Sequence, residues 1–174
     1  MRPAILCAAL ALAAAPAGAE VRSVTAAGFE VESRVTVPVP PAEAYAALAR
    51  IGRWWPDGHS WSGDAANMRL EPRAGGCFCE ALPDEGGSVE HGRVVFARPG
   101  AMLRLRGALG PLQGEAVTGT LTWMLAPADG GGTEIVMSYI VGGYIRGPGA
   151  AGFAPIVDRV MARQLDGLRA YLAR

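Results

Sequence analysis

Two cysteines flank one phenylalanine in Gly75-Gly76-Cys77-Phe78-Cys79-Glu80, and His91 follows in the next segment. Thiols at this spacing can pair, ligate a metal, act as nucleophiles, or serve as small apolar side chains. In an extended segment residues i and i+2 share a face. Their Cα atoms then lie about 6.5–7 Å apart, at or beyond the upper edge of disulfide geometry. A Cys77–Cys79 bond therefore requires strain or a bulge, for which Gly75-Gly76 gives an opportunity. A metal site would use Cys77, Cys79 and His91, with Glu80 or Glu90 as a further donor and an open position, as catalytic zinc has. The spacing fits no strong zinc signature, and strand phase turns Glu80 away from both cysteines. The third reading places both cysteines in a pocket wall, since free cysteine is commonly buried. On sequence alone all three stay open.

His91 reads as a hydrogen-bonded wall residue, a polar anchor or a general base. His59 reads as a surface or loop-capping residue. Trp54, Trp55 and Trp61 either fill the junction between a helix and a sheet or form an aromatic rim at a pocket mouth. Asp64 and Asn67 are placed to cap a short helix. No nucleophile elbow, phosphate-cradling loop or paired catalytic carboxylates are present, and Gly130-Gly131-Gly132 is a hairpin turn because it links two strands. No cofactor is expected.

The elements that must position these residues follow from periodicity. Phe29, Val31, Ser33, Val35 and Val37 alternate with Glu30, Glu32, Arg34 and Thr36, which predicts a half-buried strand. Pro38-Val39-Pro40-Pro41 ends it, and Ala44, Leu48 and Ile51 mark a helix over 42–51. Six strands are predicted at about 69–74, 77–82, 88–97, 101–107, 115–126 and 132–143, separated by glycine-rich turns. Short links between them imply an antiparallel meander. Leu103 and Leu105 alternate with Arg104 and Arg106, which read as a solvated face. Gly107 to Gly114, holding Leu109 and Leu112, reads as a flap over a cavity or an ordered loop. Phe153, Val157, Val160, Met161, Leu165, Leu168 and Leu172 form one apolar stripe of a helix from about Ala151 to Leu172.

The chain has 16 basic and 16 acidic residues, which argues against an electrostatic nucleic-acid binder. Met1-Arg2, the apolar run Ala4 to Ala15 and Ala17-Gly18-Ala19 read as a secretory leader, residues 1–19, cleaved before Glu20. The run is shorter than the roughly 20 residues of a membrane span, and Cys7 lies inside it. The expected mature chain is one exported domain over 20–174, periplasmic or secreted, with no membrane span.

The order of elements, together with Trp54-Trp55-Pro56, Gly75-Gly76-Cys77-Phe78-Cys79-Glu80, Glu90-His91-Gly92-Arg93-Val94, Leu109-Gly110-Pro111-Leu112, Gly119-Thr120-Leu121-Thr122-Trp123 and Val157-Asp158, resembles the START-like or SRPBCC superfamily, specifically an exported bacterial subgroup. Its members include birch-pollen-allergen-like proteins, polyketide cyclases and homologues of a chaperone-ATPase activator. The resemblance implies an α+β helix-grip fold, with a curved antiparallel sheet of about seven strands around a long C-terminal helix and one or two short helices after the first strand. It also implies a deep apolar cavity between sheet and helix.

A small apolar or amphipathic molecule is the expected partner. Its expected wall is Trp54, Trp55, Trp61, Cys77, Cys79, His91, Leu103, Leu105, Trp123, Tyr139, Val157 and Met161, with His91, Tyr139 and the thiols as polar contacts. The alternative expectation is a cyclase, dehydratase or hydrolase using His91 with Cys77 or Cys79. A protein–protein module is the third.

Overall fold

The computed structural model describes residues 18–174, so most of the expected leader, with Cys7, lies outside the described residues. Its strands are β1 (Gly18–Thr25), β2 (Gly28–Val37), β3 (Met68–Leu70), β4 (Cys77–Leu82), β5 (Gly87–Arg98), β6 (Met102–Arg106), β7 (Ala116–Pro127) and β8 (Thr133–Tyr144). They form one antiparallel sheet in the order β1-β2-β8-β7-β6-β5-β4-β3. Helix α1 spans Pro41–Ala49 and helix α2 spans Gly149–Leu172. Single 3-10 turns at Ile51–Arg53, Asp57–His59 and Ala65–Asn67 connect α1 to β3. This is the expected helix-grip α+β architecture.

The count of about seven strands is corrected to eight. The additional strand, β1, pairs with β2 from Gly18↔Arg34 to Thr25↔Gly28. A register shift between Val21 and Ser23 breaks its alternation, and its first residues overlap the segment read as a leader. The strand expected over 69–74 is only Met68–Leu70, because Pro72 has no N–H to give a ladder.

Inward-facing residues of β2, β6, β7 and β8 make the core, with Val31, Leu103, Trp123, Ile135 and Met137 almost wholly buried. Helix α1 packs on β7, while α2 packs chiefly on β1 and β2. The apolar stripe of α2 buries Val157, Met161, Leu165, Leu168 and Leu172. Gly167 lets α2 approach the turn after α1, because a Cβ there would lie 2.4 Å from the Trp54 carbonyl oxygen. In α2, burial raises the Asp158 pKa, the Glu20 backbone opposes that rise, and Asp158 Oδ1 has no hydrogen-bond partner. Because α2 lies over the β1–β2 end of the sheet, it leaves a gap towards β5 and β8.

Candidate functional site

That gap is a pocket of about 380 Å³. Phe153, Ile156, Val157, Val160, Met161 and Gln164 supply the helix side. The turn from Trp55 to Trp61 and the loop from Leu109 to Leu112 close two further sides. His91 and Tyr139 come from the sheet.

A β-bulge places His91. Phe78 pairs with Gly92 but Cys79 pairs with Glu90, so β5 carries one extra residue, His91. A bulge re-aims side chains locally. Phe78, Glu80 and His91 therefore all turn inward, with ring centroids of Phe78 and His91 4.7 Å apart. Cys77, Cys79 and Glu90 fall on the other face of the strands.

Glu80 is 0% exposed, and donors reach both of its carboxylate oxygens. It accepts from the Ser62 N–H at 2.5 Å, the Trp61 N–H at 3.1 Å and His91 Nε2 at 2.9 Å. Burial alone would raise its pKa, but the hydrogen bonds from Ser62, Trp61 and His91 outweigh it and hold the carboxyl below its ordinary range. Burial also lowers the His91 pKa, against the opposing pull of Glu80. At neutral pH the pair is thus a carboxylate and a neutral imidazole. An ionised carboxylate only accepts, so the ring proton sits on Nε2. Nδ1 keeps its lone pair and makes no hydrogen bond among the described residues.

The other polar wall groups are tied up differently. The Tyr139 hydroxyl donates to the Gly107 carbonyl and accepts from the Leu109 N–H, each at 3.0 Å. Burial and loss of hydration push its pKa up, so it stays a neutral phenol. Gly119 makes room for this ring, since a Cβ would sit 2.4 Å from Tyr139 Oη. Together with buried Leu112 and the Gln113 Nε2 bond to the Glu90 carbonyl, these contacts make the 107–114 segment an ordered loop. The Trp55 indole donates to the His59 carbonyl, and Ser60 Oγ donates to the Asp57 carbonyl.

The sequence-predicted residues divide cleanly. Trp55, Trp61, His91, Tyr139, Val157 and Met161 line the pocket. Leu103, Leu105 and Trp123 do not, because they are packed core under the helices. Trp54 is also structural, its indole donating to the Ala47 carbonyl at 3.0 Å. Cys77 and Cys79 lie on the opposite face of β4 from the pocket and are joined as a disulfide, with Cα atoms 5.5 Å apart. That is shorter than a regular strand allows, and the irregular register of β4 against β5 accommodates it.

The ligand set Cys77, Cys79 and His91 is accordingly corrected. His91 pairs with Glu80, and the carboxylate beside the sulfurs is Glu90. Paired sulfurs are neither thiolate ligands nor nucleophiles. His59, read as a surface or loop-capping residue, lines the pocket and accepts at Nδ1 from Gln164 Nε2 at 2.8 Å. Gln164 was not singled out from sequence. Its signal was a polar residue directly before Leu165, on the buried stripe of α2.

A family model described as polyketide cyclase / dehydrase and lipid transport matches residues 28–173. The chain belongs to that family. Solved structures agree on the fold. A Mesorhizobium loti protein superposes with a TM-score of 0.59 at 18% identity, covering 81% of this chain and 94% of its own. CalU16 from Micromonospora echinospora gives 0.57 at 18% identity, with 90% and 84% covered. The Aha1 dimer from Colwellia psychrerythraea gives 0.58 at 15% identity, with 82% and 95% covered. No curated protein matches the chain. No helix among the described residues is long and apolar enough to cross a membrane.

Proposed function

We propose that this family member binds one small apolar or amphipathic molecule in the pocket between sheet and α2. The observation that carries the reading is the wall itself. It is mostly aliphatic and aromatic, with a few fixed polar groups, which is the usual composition of a small-molecule site. Burying apolar ligand surface there gains about 25 cal/mol per Å². Native mass spectrometry of the purified full chain tests it, together with uptake of the neutral dye Nile red. A retained organic mass or dye uptake supports the reading. A bare protein that takes up no apolar probe overturns it.

The Glu80–His91 pair favours a second reading. A neutral imidazole oriented by a buried carboxylate is the arrangement of a general base. His91 Nδ1 would take a proton from a bound molecule, and Glu80 would stabilise the resulting imidazolium. This fits the cyclase and dehydrase half of the family description. It replaces the thiol-assisted version, since Cys77 and Cys79 are bonded to each other. Turnover that vanishes in His91→Gln while ligand uptake persists would establish it.

We also propose export of the chain with cleavage before Glu20, on the leader pattern at residues 1–19. The intact mass of protein recovered from the exported fraction decides that point.

A further inference from the structure

The face of β4 and β5 turned away from the pocket carries a donor cluster of its own. Cys77 Sγ, Cys79 Sγ and one carboxylate oxygen of Glu90 lie within 4.8 Å of one another. The bulge at His91 builds this cluster. With His91 out of register, Glu90 falls directly opposite Cys79 and Arg93 opposite Cys77. Directly opposed residues share a face of a sheet. Arg93 pairs with Glu90 there, while Arg69, opposite Cys79 on β3, lies 4.0 Å from Glu71. The two arginines would attract the thiolates that opening the disulfide creates.

The bond joins residues with a sequence separation of 2. A loop so short contributes little entropy to the folded state. By linkage, folding then protects the bond little against exchange with a dithiol. Opening it lets the Cα atoms move from 5.5 Å towards the roughly 6.5–7 Å of a regular strand, and the sulfurs separate with them. Donors sharing one tetrahedral zinc ion sit roughly 3.6–3.8 Å apart. Short side-chain movements would bring the freed sulfurs and the Glu90 oxygen to that spacing. Two thiolates and Glu90 carry three negative charges, of which Arg93 offsets one and a divalent ion the rest. Freeing Glu90 from Arg93 costs little, because both are exposed and surface ion pairs are weak.

We propose that this outer face is a redox-gated site for a thiophilic divalent metal ion such as Zn2+, closed while Cys77 and Cys79 are bonded and opened by a dithiol. The ligands are Cys77 Sγ, Cys79 Sγ and a Glu90 carboxylate oxygen, with the fourth position left to water. In the opening step the Sγ–Sγ bond breaks and takes up two electrons and two protons. The dithiol supplies both and closes to its own disulfide. The ion then displaces the two thiol protons and forms two metal–sulfur bonds and one metal–oxygen bond. The site is independent of the pocket and of the binding reading.

The test uses the full chain with Cys7→Ser, so that Cys77 and Cys79 are the only sulfur ligands of this kind. The protein is treated with a dithiol, freed of it without air, and its free thiols are counted. Co2+ is then added and the thiolate-to-cobalt charge-transfer absorption is followed, with Zn2+ as competitor. The reduced chain should bind one Co2+, which Zn2+ displaces, and the oxidised chain should show no band. Cys77→Ser should abolish the band. Glu90→Gln should keep it and weaken binding at least about tenfold, a loss usual even for outer partners of a metal. His91→Gln should leave binding unchanged. A disulfide that the dithiol leaves intact in the folded chain overturns the proposal. So does a chain with both thiols free that shows no band, or one that binds Zn2+ no more tightly than its oxidised form. The comparison of reduced with oxidised protein decides the matter if a variant fails to fold.

Discussion

The two principal walls of the pocket are built on opposite terms. On the sheet side, β4 and β5 hold Glu80 and His91 in a closed set of hydrogen bonds, braced by Phe78 against the ring and by the disulfide on the far face. On the helix side, Phe153, Val157, Val160 and Met161 make contacts without direction, and only Gln164 is polar. Hydrogen-bonded walls lose heavily when one member is removed, since the partners are stranded. Apolar walls lose in proportion to the volume deleted. The difference assigns chemistry to the sheet and shape to the helix.

The largest expected effect breaks the sheet wall. Glu80→Leu strands the N–H groups of Trp61 and Ser62 and the ring N–H of His91. It should cost about 3 kcal/mol or more, read from urea unfolding. A loss below about 1 kcal/mol would mean that the polar wall is not held as described.

Acid tests the same wall without mutation. Glu80, His91 and His59 all have lowered pKa values, through the opposed effects described for Glu80 and chiefly through burial for the histidines. Each therefore stabilises the fold above its unfolded-state pKa and loses that contribution as pH falls through its folded value. Stability should begin to drop below about pH 6.5 as the histidines charge, and drop further below about pH 4.5 with Glu80. Urea midpoints from pH 8 to pH 4 should follow this course, and His91→Gln should flatten its upper part. A midpoint that rises on acidification would contradict it.

The disulfide is expected to matter less. It closes so short a loop that loop entropy gives roughly 1–2 kcal/mol. Cys77→Ser with Cys79→Ser should lower the melting temperature by a few degrees and leave Nile red binding intact, because neither residue lines the pocket. Loss of dye binding would show that the brace sets the position of His91.

Val160→Ala, on the helix wall, should cost least, about 1 kcal/mol or below, because the side chain is only half-buried. It should widen ligand choice and leave the pH course unchanged. A changed acid response would couple the two walls and break the comparison.

How legible this was from sequence depends on the wall. The long strands and the stripe of α2 were readable because their periodicity is regular. The sheet side of the pocket was not, because the bulge at His91 interrupts the alternation. Counting back from inward Val94 turns His91 out, whereas counting on from half-buried Val89 turns it in. Strand phase could not choose between these. Leu103, Leu105 and Trp123 were correctly inward, but facing inward is not facing the cavity, and only the placement of α2 over β1 and β2 decides which inner residues stay uncovered. Gln164 and His59 meet across most of the chain, and local spacing carries no trace of that contact.

Strand β1 begins at Gly18, two residues ahead of the cleavage proposed before Glu20. Removal of the leader would cut the Gly18 and Ala19 pairings to Arg34 and Ser33. It would also turn the Glu20 amide nitrogen, whose proximity opposes the rise of the Asp158 pKa, into a charged ammonium group near that carboxylate. The precursor would hold a neutral contact where a cleaved chain would hold an ion pair between its own new end and α2. Maturation would then act as a fastening step: the molecule trades two residues of ladder for a charged latch that exists only after the cut.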